Sequence, residues 1–369
     1  MFPLVNRKTL FTAAQIVVTL ALLWFVFRDP AKRGEMITTF RGANPWWLFA
    51  GIAIYGVVEL LAGWRWVILL RVQGVNLTVA RTFSLLLIGL FFNFFIPGGT
   101  GGDVVKIYYL LKETPGQKTA ALLSVLMDRI IGLIALIILA HAIILVHWDW
   151  LMSTPTTAQG VWTTLIILGA SVSGIAFTFT ITGFGLVHLL PAKFPMRDRL
   201  AEIALAYNLY GRAWRQSLGA FVLSMFAHLG YFAIFYCAAA ALRADGVRIP
   251  TLGELTAIMP VVNTIAAMPI SLGGLGVREG LFQVFLGQLC GVTEAVAVVI
   301  SSTGYLLTLV WGVFGGVIYL LYRPSEHARL SEIRAEVAKV EHTVAEEEIA
   351  LETKRGGTSN TQHPTSNIQ

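Results

Sequence analysis

Most residues in this chain that could do chemistry gather in two short clusters. The first is Gly98-Gly99-Thr100-Gly101-Gly102-Asp103, with Pro97 before it and Lys106 one turn on; the second is Gly273-Gly274-Leu275-Gly276-Val277-Arg278-Glu279, with Pro269 upstream. A glycine-rich turn that opens a helix leaves the first N–H groups unpaired. Those donors, with the positive end of the helix dipole, favour an anion. Lys106 and Arg278 would add full positive charge, and Asn93 and Thr100 further hydrogen bonds. A purely structural reading stands beside this one, in which the charges pair to hold a re-entrant loop. Asp103 and Lys106 are three apart and share a helix face. Arg278 and Glu279 are neighbours, diverge on a helix, and are expected to find partners elsewhere, across the interface between the two clusters.

Soluble chemistry does not fit these motifs. No Gly-Lys-Ser/Thr follows the glycines at 98 to 102, so no nucleotide-type phosphate loop is present. Gly274 and Gly276 lack the third glycine of a dinucleotide fingerprint and lie in an apolar setting. No zinc-protease helix or nucleophile elbow occurs. Cys237 and Cys290 stand alone, without metal-ligand or disulfide spacing. No metal, cofactor or catalytic residue is expected.

The surroundings of the clusters are a membrane. Of 369 residues 56% are hydrophobic and only 13% charged, and mean hydropathy is +0.71, whereas soluble domains carry about 25% charged residues. Apolar stretches of the roughly 20 residues needed to span lie near 10 to 27, 46 to 63, 119 to 146, 161 to 190, 217 to 242 and 294 to 322. Arg7 and Lys8 before the first run resemble a signal peptide, but no small-x-small cleavage site follows, so an uncleaved helix is expected. Stretches 81 to 111 and 251 to 290 are interrupted by the glycine clusters. The expected fold is an all-α polytopic membrane protein of about six full transmembrane helices plus two interrupted segments, either re-entrant or paired short helices.

Order and charge give the topology. Span, span, interrupted segment, span is followed by the same series, which divides the chain into a first membrane repeat (1–158), a second (159–323), a charged cytoplasmic helix (324–355) and a polar, disordered tail (356–369). Residues 147 to 160 have no Lys or Arg, whereas 190 to 216 have Lys193, Arg197, Arg199, Arg212 and Arg215. Cytoplasmic loops are the basic ones. Both termini then lie in the cytoplasm and the interrupted segments enter from opposite faces, which makes the repeats inverted, a construction of secondary transporters. Arg28, Lys32, Arg33 and Arg41 fall on the outer side, against the rule. The net charge of +6 conceals 22 Lys/Arg against 13 Asp/Glu before residue 324. These basic residues are spread through short loops, which suits anionic lipid rather than nucleic acid.

Other polar groups are weaker candidates. Asp128 and Arg129 either line a cavity or lie at the interface. Glu59 lies within the second span; Trp64-Arg65-Trp66 at its end reads as an interfacial anchor. Asn263 reads first as a helix–helix hydrogen bond, and His141 and His228 as packed histidines. Residues 197 to 216 suit a helix on the inner membrane surface. Leu330, Ile333, Val337, Val340 and Val344 form a short heptad stripe, which leaves a homodimer through the tail or the membrane helices open.

Trp64-Arg65-Trp66, the run Asn93 to Gly98, Gly102-Asp103-Val104-Val105-Lys106, Asp128-Arg129 and the run Gly273 to Gly280 make the chain resemble the membrane region of bacterial lysylphosphatidylglycerol synthases, shared with stand-alone flippase-like proteins. The likeness spans about residues 10 to 322, and the last motif is the most specific. It implies a protein of the bacterial cytoplasmic membrane that moves a lipid between leaflets, with the residues named above at 93, 97 to 103, 106, 128, 129, 263, 273, 274, 276, 278 and 279 around the substrate. The short tail after the last span is too small for the family's soluble aminoacyltransferase domain, so that activity is not expected. Where the family often has Arg-Gly-Glu after the first break, this chain has Gly101-Gly102-Asp103, so headgroup preference does not carry over. Two other classes remain open: a membrane-embedded lipid-modifying enzyme using Asp103, Glu279 or Asp128 as acid/base groups, and a non-catalytic subunit of an envelope-biosynthesis complex.

Overall fold

The structure is a computed structural model that describes residues 7–95, 101–184, 197–244, 246–322, 332–344 and 346. Among them there are helices and no strands. In chain order the helices are α1 (Arg7–Phe27), α2 (Pro30–Arg41), α3 (Pro45–Val72), α4 (Val79–Phe95), α5 (Gly101–Glu113), α6 (Lys118–Val146), the short α7 (Trp148–Leu151), α8 (Pro155–Gly183), α9 (Arg197–Arg212), α10 (Trp214–Ala241), α11 (Leu252–Ala266), α12 (Val277–Cys290) and α13 (Glu294–Leu321). Five of these, α3, α6, α8, α10 and α13, are long and apolar enough to cross a membrane; α1 and α2, bent by 83° at their junction, supply a sixth span if counted as one.

The helix starts are written in the sequence. Asn44, Thr154, Thr251 and Thr293 each accept a hydrogen bond from a first-turn N–H of α3, α8, α11 and α13, satisfying donors that the helix leaves free. Pro45 and Pro155 occupy the first helical position, where a missing N–H does no harm. Asp29 does the same for α2, with Pro30 behind it. The basic stretch from Arg28 to Arg41 is therefore a capped helix rather than a loop. Two of its cations are occupied: Arg28 stacks on Trp24 and Phe25, and Lys32 pairs with Glu294 of α13.

The series long helix, shorter helix, long helix, pair of short helices, long helix occurs as α1 to α6 and again as α8 to α13, with the second series beginning at Pro155. Contacts recur under exchange of the two series. Helix α3 packs on α10; α4 packs on α13 and α11 on α6; α5 packs on α6 and α12 on α13; α2 packs on α13 and α9 on α6.

Each interrupted segment is a pair of short helices. The first pair starts at the Tyr322 end of α13, where Tyr322 donates to Glu113 and Arg81 lies 5.1 Å over the Tyr322 ring. It reaches up to Tyr305, whose ring is 5.6 Å from that of Phe94. The second pair starts at the opposite, Glu294 end and also reaches Tyr305, over which the Arg278 guanidinium lies at 4.3 Å. At a 1.5 Å rise per residue, Tyr305 is roughly 17 Å from the Glu294 end of α13, near mid-membrane depth. Close approach makes the first pair possible: a Cβ on Gly102 would lie 2.0 Å from the Gly89 carbonyl oxygen. In the second, Gly273, Gly274 and Gly276 all have φ between 58° and 81°, where a side chain is strained.

Residues 332–344 are helical, and Ile333, Val337, Val340 and Val344 are buried in one cluster with Tyr109, Leu110 and Tyr322. The heptad stripe is thus covered by the chain's own helices; Leu330 lies outside the described residues. Tyr210 of α9 is buried, with its hydroxyl donating to the Leu69 carbonyl at 3.0 Å.

Candidate functional site

Four helices converge on a buried ionic cluster. Arg65 of α3 places Nε 2.7 Å from Asp128 Oδ1 of α6, and its Nη1 donates to Ser224 Oγ of α10 at 3.0 Å. Lys106 of α5 puts Nζ 3.5 Å from the other Asp128 oxygen and 3.7 Å from the centre of the Trp66 ring. Trp66 is held in turn by Ser124, which accepts from its indole N–H at 3.4 Å. The side chains of Lys106 and Asp128 are 5% and 6% exposed, so Asp128 is shared by two cations away from solvent. One turn nearer the hairpin tip, Asp103 bonds Arg129 at 2.6 Å, with the arginine half exposed. Glycine again sets the geometry, for a Cβ on Gly132 would come within 3.4 Å of the Arg65 guanidinium.

The second cluster is self-contained. Glu279 accepts the Gly276 N–H at 2.6 Å and the Ser301 hydroxyl at 3.1 Å. Arg278 donates to the Gly273 carbonyl at 2.8 Å, and its buried Nε has no partner. Helix α1 clamps this turn: Gln15 donates to the Pro269 carbonyl at 3.1 Å, and Thr19 accepts the Leu272 N–H at 2.8 Å. Gly276 packs against Leu22 of the same helix.

These positions revise the sequence reading of the charges. Asp103 and Lys106 pair with Arg129 and Asp128 on α6 rather than with each other. Arg278 and Glu279 bond within their own turn and to α13, not across to the first hairpin. At the anion site expected at free helix N–H groups, one N–H of each helix start is engaged by a side chain. Asn93 accepts the Gly102 N–H at 3.0 Å, and Glu279 caps α12, so each glycine-rich start already has a side-chain acceptor. The cations of the first cluster are Arg65, Lys106 and Arg129. Pro97, Gly98, Gly99 and Thr100 lie outside the described residues; Gly101 is buried at the start of α5. Asn263 is half buried in α11, its carbonyl accepting from Ala267.

The sequence places Arg65 at the end of its span as an interfacial anchor; the structure differs because the helix is longer. Helix α3 runs to Val72, which puts Arg65 two turns inside rather than at the end. Only Trp64 of the Trp-Arg-Trp run is exposed, at 46%, while Trp66 is fully buried. Gln15, Thr19 and Tyr305 belong to no motif of the sequence. The first two are spaced four apart and polar within an apolar span, a signal that was legible; nothing in the sequence marks Tyr305 as the ring between two hairpin tips.

The chain is similar in sequence to proteins described as membrane proteins. A UPF0104 membrane protein of Methanothermobacter thermautotrophicus is 23% identical over 351 residues, covering 85% of this chain and 94% of its own length. A UPF0104 membrane protein of Pyrococcus horikoshii is 22% identical over 335 residues, covering 86% and 98%. The family model described as lysylphosphatidylglycerol synthase TM region matches residues 12–316. With its multi-pass helical architecture and that match over most of its length, the chain belongs to the lysylphosphatidylglycerol synthase transmembrane-region family.

Proposed function

We propose that this membrane protein moves an amphipathic lipid with a phosphate-bearing headgroup between leaflets, the headgroup passing through the cluster of Arg65, Lys106 and Asp128. The observation that carries the reading is the sharing of one carboxylate by two buried cations at the depth of a hairpin. Ionisable side chains at membrane depth are costly and mark substrate or ion pathways. A headgroup phosphate would supply the anion that Asp128 alone does not. Arg278, buried and with an unpartnered Nε beside Tyr305, is a second contact, at the tip of the other hairpin.

Movement would come from rocking of two inverted repeats about the hairpin tips, as in transporters with broken helices. The recurrence of the helix series and of its contacts supports that relation. In this reading the Tyr322 end faces the cytoplasm.

The test is headgroup translocation of fluorescent phospholipids in liposomes holding the purified chain, scored by reduction of the label in the outer leaflet. Wild type should equilibrate an anionic phospholipid. Arg65→Ala and Lys106→Ala should slow this by at least about tenfold, as expected from loss of one charge-assisted contact. Equal rates in wild type and empty liposomes for every lipid tried would reject the reading.

A further inference from the structure

One buried carboxyl remains outside both the ion pairs and the capped turn just described. Glu59 lies at the middle of α3, is 9% exposed, and among the described residues forms no salt bridge within 4 Å. It shares a helix stripe with Tyr55, one turn before it, and with Trp66, two turns after it, and Trp66 is the ring on which Lys106 rests. Tyr55, one turn away on the same helix, and the charges of Arg65, Lys106 and Asp128 act on it electrostatically. These are the charged and titratable groups that face it from α3, α5 and α6. On α10 and α13, Tyr231 and Tyr305 lie beyond Tyr55, and His228 of α10 is engaged with the Gly132 carbonyl.

Counting charge in this pocket gives a rule. Arg65 and Lys106 against Asp128 leave one cation over, and an ionised Glu59 cancels it. An anionic headgroup arriving with Glu59 ionised would make the pocket net negative at low dielectric, which is unfavourable. With Glu59 protonated, the same headgroup makes it neutral. We infer that Glu59 is a proton-binding site linked to the substrate site, so that each anionic headgroup bound is accompanied by uptake of one proton. The proton comes from water and forms an O–H bond on the Glu59 carboxyl; no electrons move. The inference rests on the proposed anion-binding role of Arg65 and Lys106 and adds the ion to which transport is coupled.

Linkage makes this measurable, because uptake of a proton on binding requires affinity to fall as pH rises through the titration of that carboxyl. The full chain in phosphatidylcholine nanodiscs is titrated calorimetrically with short-chain phosphatidylglycerol, and separately with inorganic phosphate, in buffers of differing ionisation heat. Above the midpoint of Glu59, wild type should take up about one proton per ligand and lose about tenfold in affinity per pH unit. Glu59→Gln, permanently neutral, should bind with neither slope nor uptake, whereas Glu59→Asp should keep the slope. The same slope with inorganic phosphate supports the linkage and assigns the site to a free anion rather than a lipid headgroup. Binding to wild type without slope or uptake, or a slope that survives in Glu59→Gln, overturns the linkage while leaving the anion site standing. No binding of either probe to wild type at any pH overturns both.

Discussion

The two hairpins answer one problem, how to hold a charged turn at membrane depth, in different ways. In the second, α11–α12, Glu279 is held by the Gly276 N–H of its own turn and by Ser301, and Arg278 bonds the Gly273 carbonyl of that turn, with α1 clamping the turn from outside. In the first, α4–α5, Lys106 and Asp103 depend on side chains of another helix, Asp128 and Arg129. A backbone-bonded charge is part of the scaffold, because exchanging its partner means rebuilding the turn. A charge held by a neighbour's carboxylate can exchange that partner for a ligand. On the proposed reading, the first hairpin is the main binding element, and the second, apart from Arg278, serves positioning.

Several substitutions should break or sharpen this contrast, each read by thermal unfolding of purified protein in detergent. Asp128→Ala strands Arg65 and Lys106 without their shared carboxylate and should destabilise by about 3–5 kcal/mol. Added anionic lipid should recover part of that loss by taking the vacated role. Glu279→Ala removes the acceptor of the Gly276 N–H and the Ser301 hydroxyl and should cost about 2–4 kcal/mol. The same lipid should restore nothing here, and equal rescue of both variants would erase the distinction between the hairpins. Gly102→Ala drives a methyl onto the Gly89 carbonyl, a backbone atom that cannot turn away. It should cost about 1–3 kcal/mol, the usual range for overpacking, and should spread α4 from α5, which spin labels on the two helices would report.

Smaller effects follow at the clamp and the surface. Thr19→Val keeps the shape of α1 but loses the bond to the Leu272 N–H, for about 1 kcal/mol. Lys32→Ala cuts a pair whose side chains are 37% and 58% exposed; solvent and salt screen such pairs, so the change should stay under about 1 kcal/mol and vanish at high salt.

Much of this fold is legible in the chain itself. The long spans follow from apolar length, the helix starts from Asn44, Thr154, Thr251 and Thr293, and the two breaks from their glycines. All of these are local: a backbone group seeks a partner a few residues away, and an apolar run has one solvent that suits it. The clusters near Gly102 and Gly276 were likewise visible as charge beside glycine in an apolar setting. Tertiary structure decided the partners. Which cation meets Asp128, whether Arg65 is buried, and which ring bridges the hairpin tips depend on how α3, α5, α6, α10 and α13 pack. A buried charge is satisfied by whatever lies within about 4 Å, and that distance joins residues far apart in the chain: Arg65 with Asp128 and Ser224, Gln15 with Pro269. Periodicity tells which face of a helix is polar; only packing tells what that face meets.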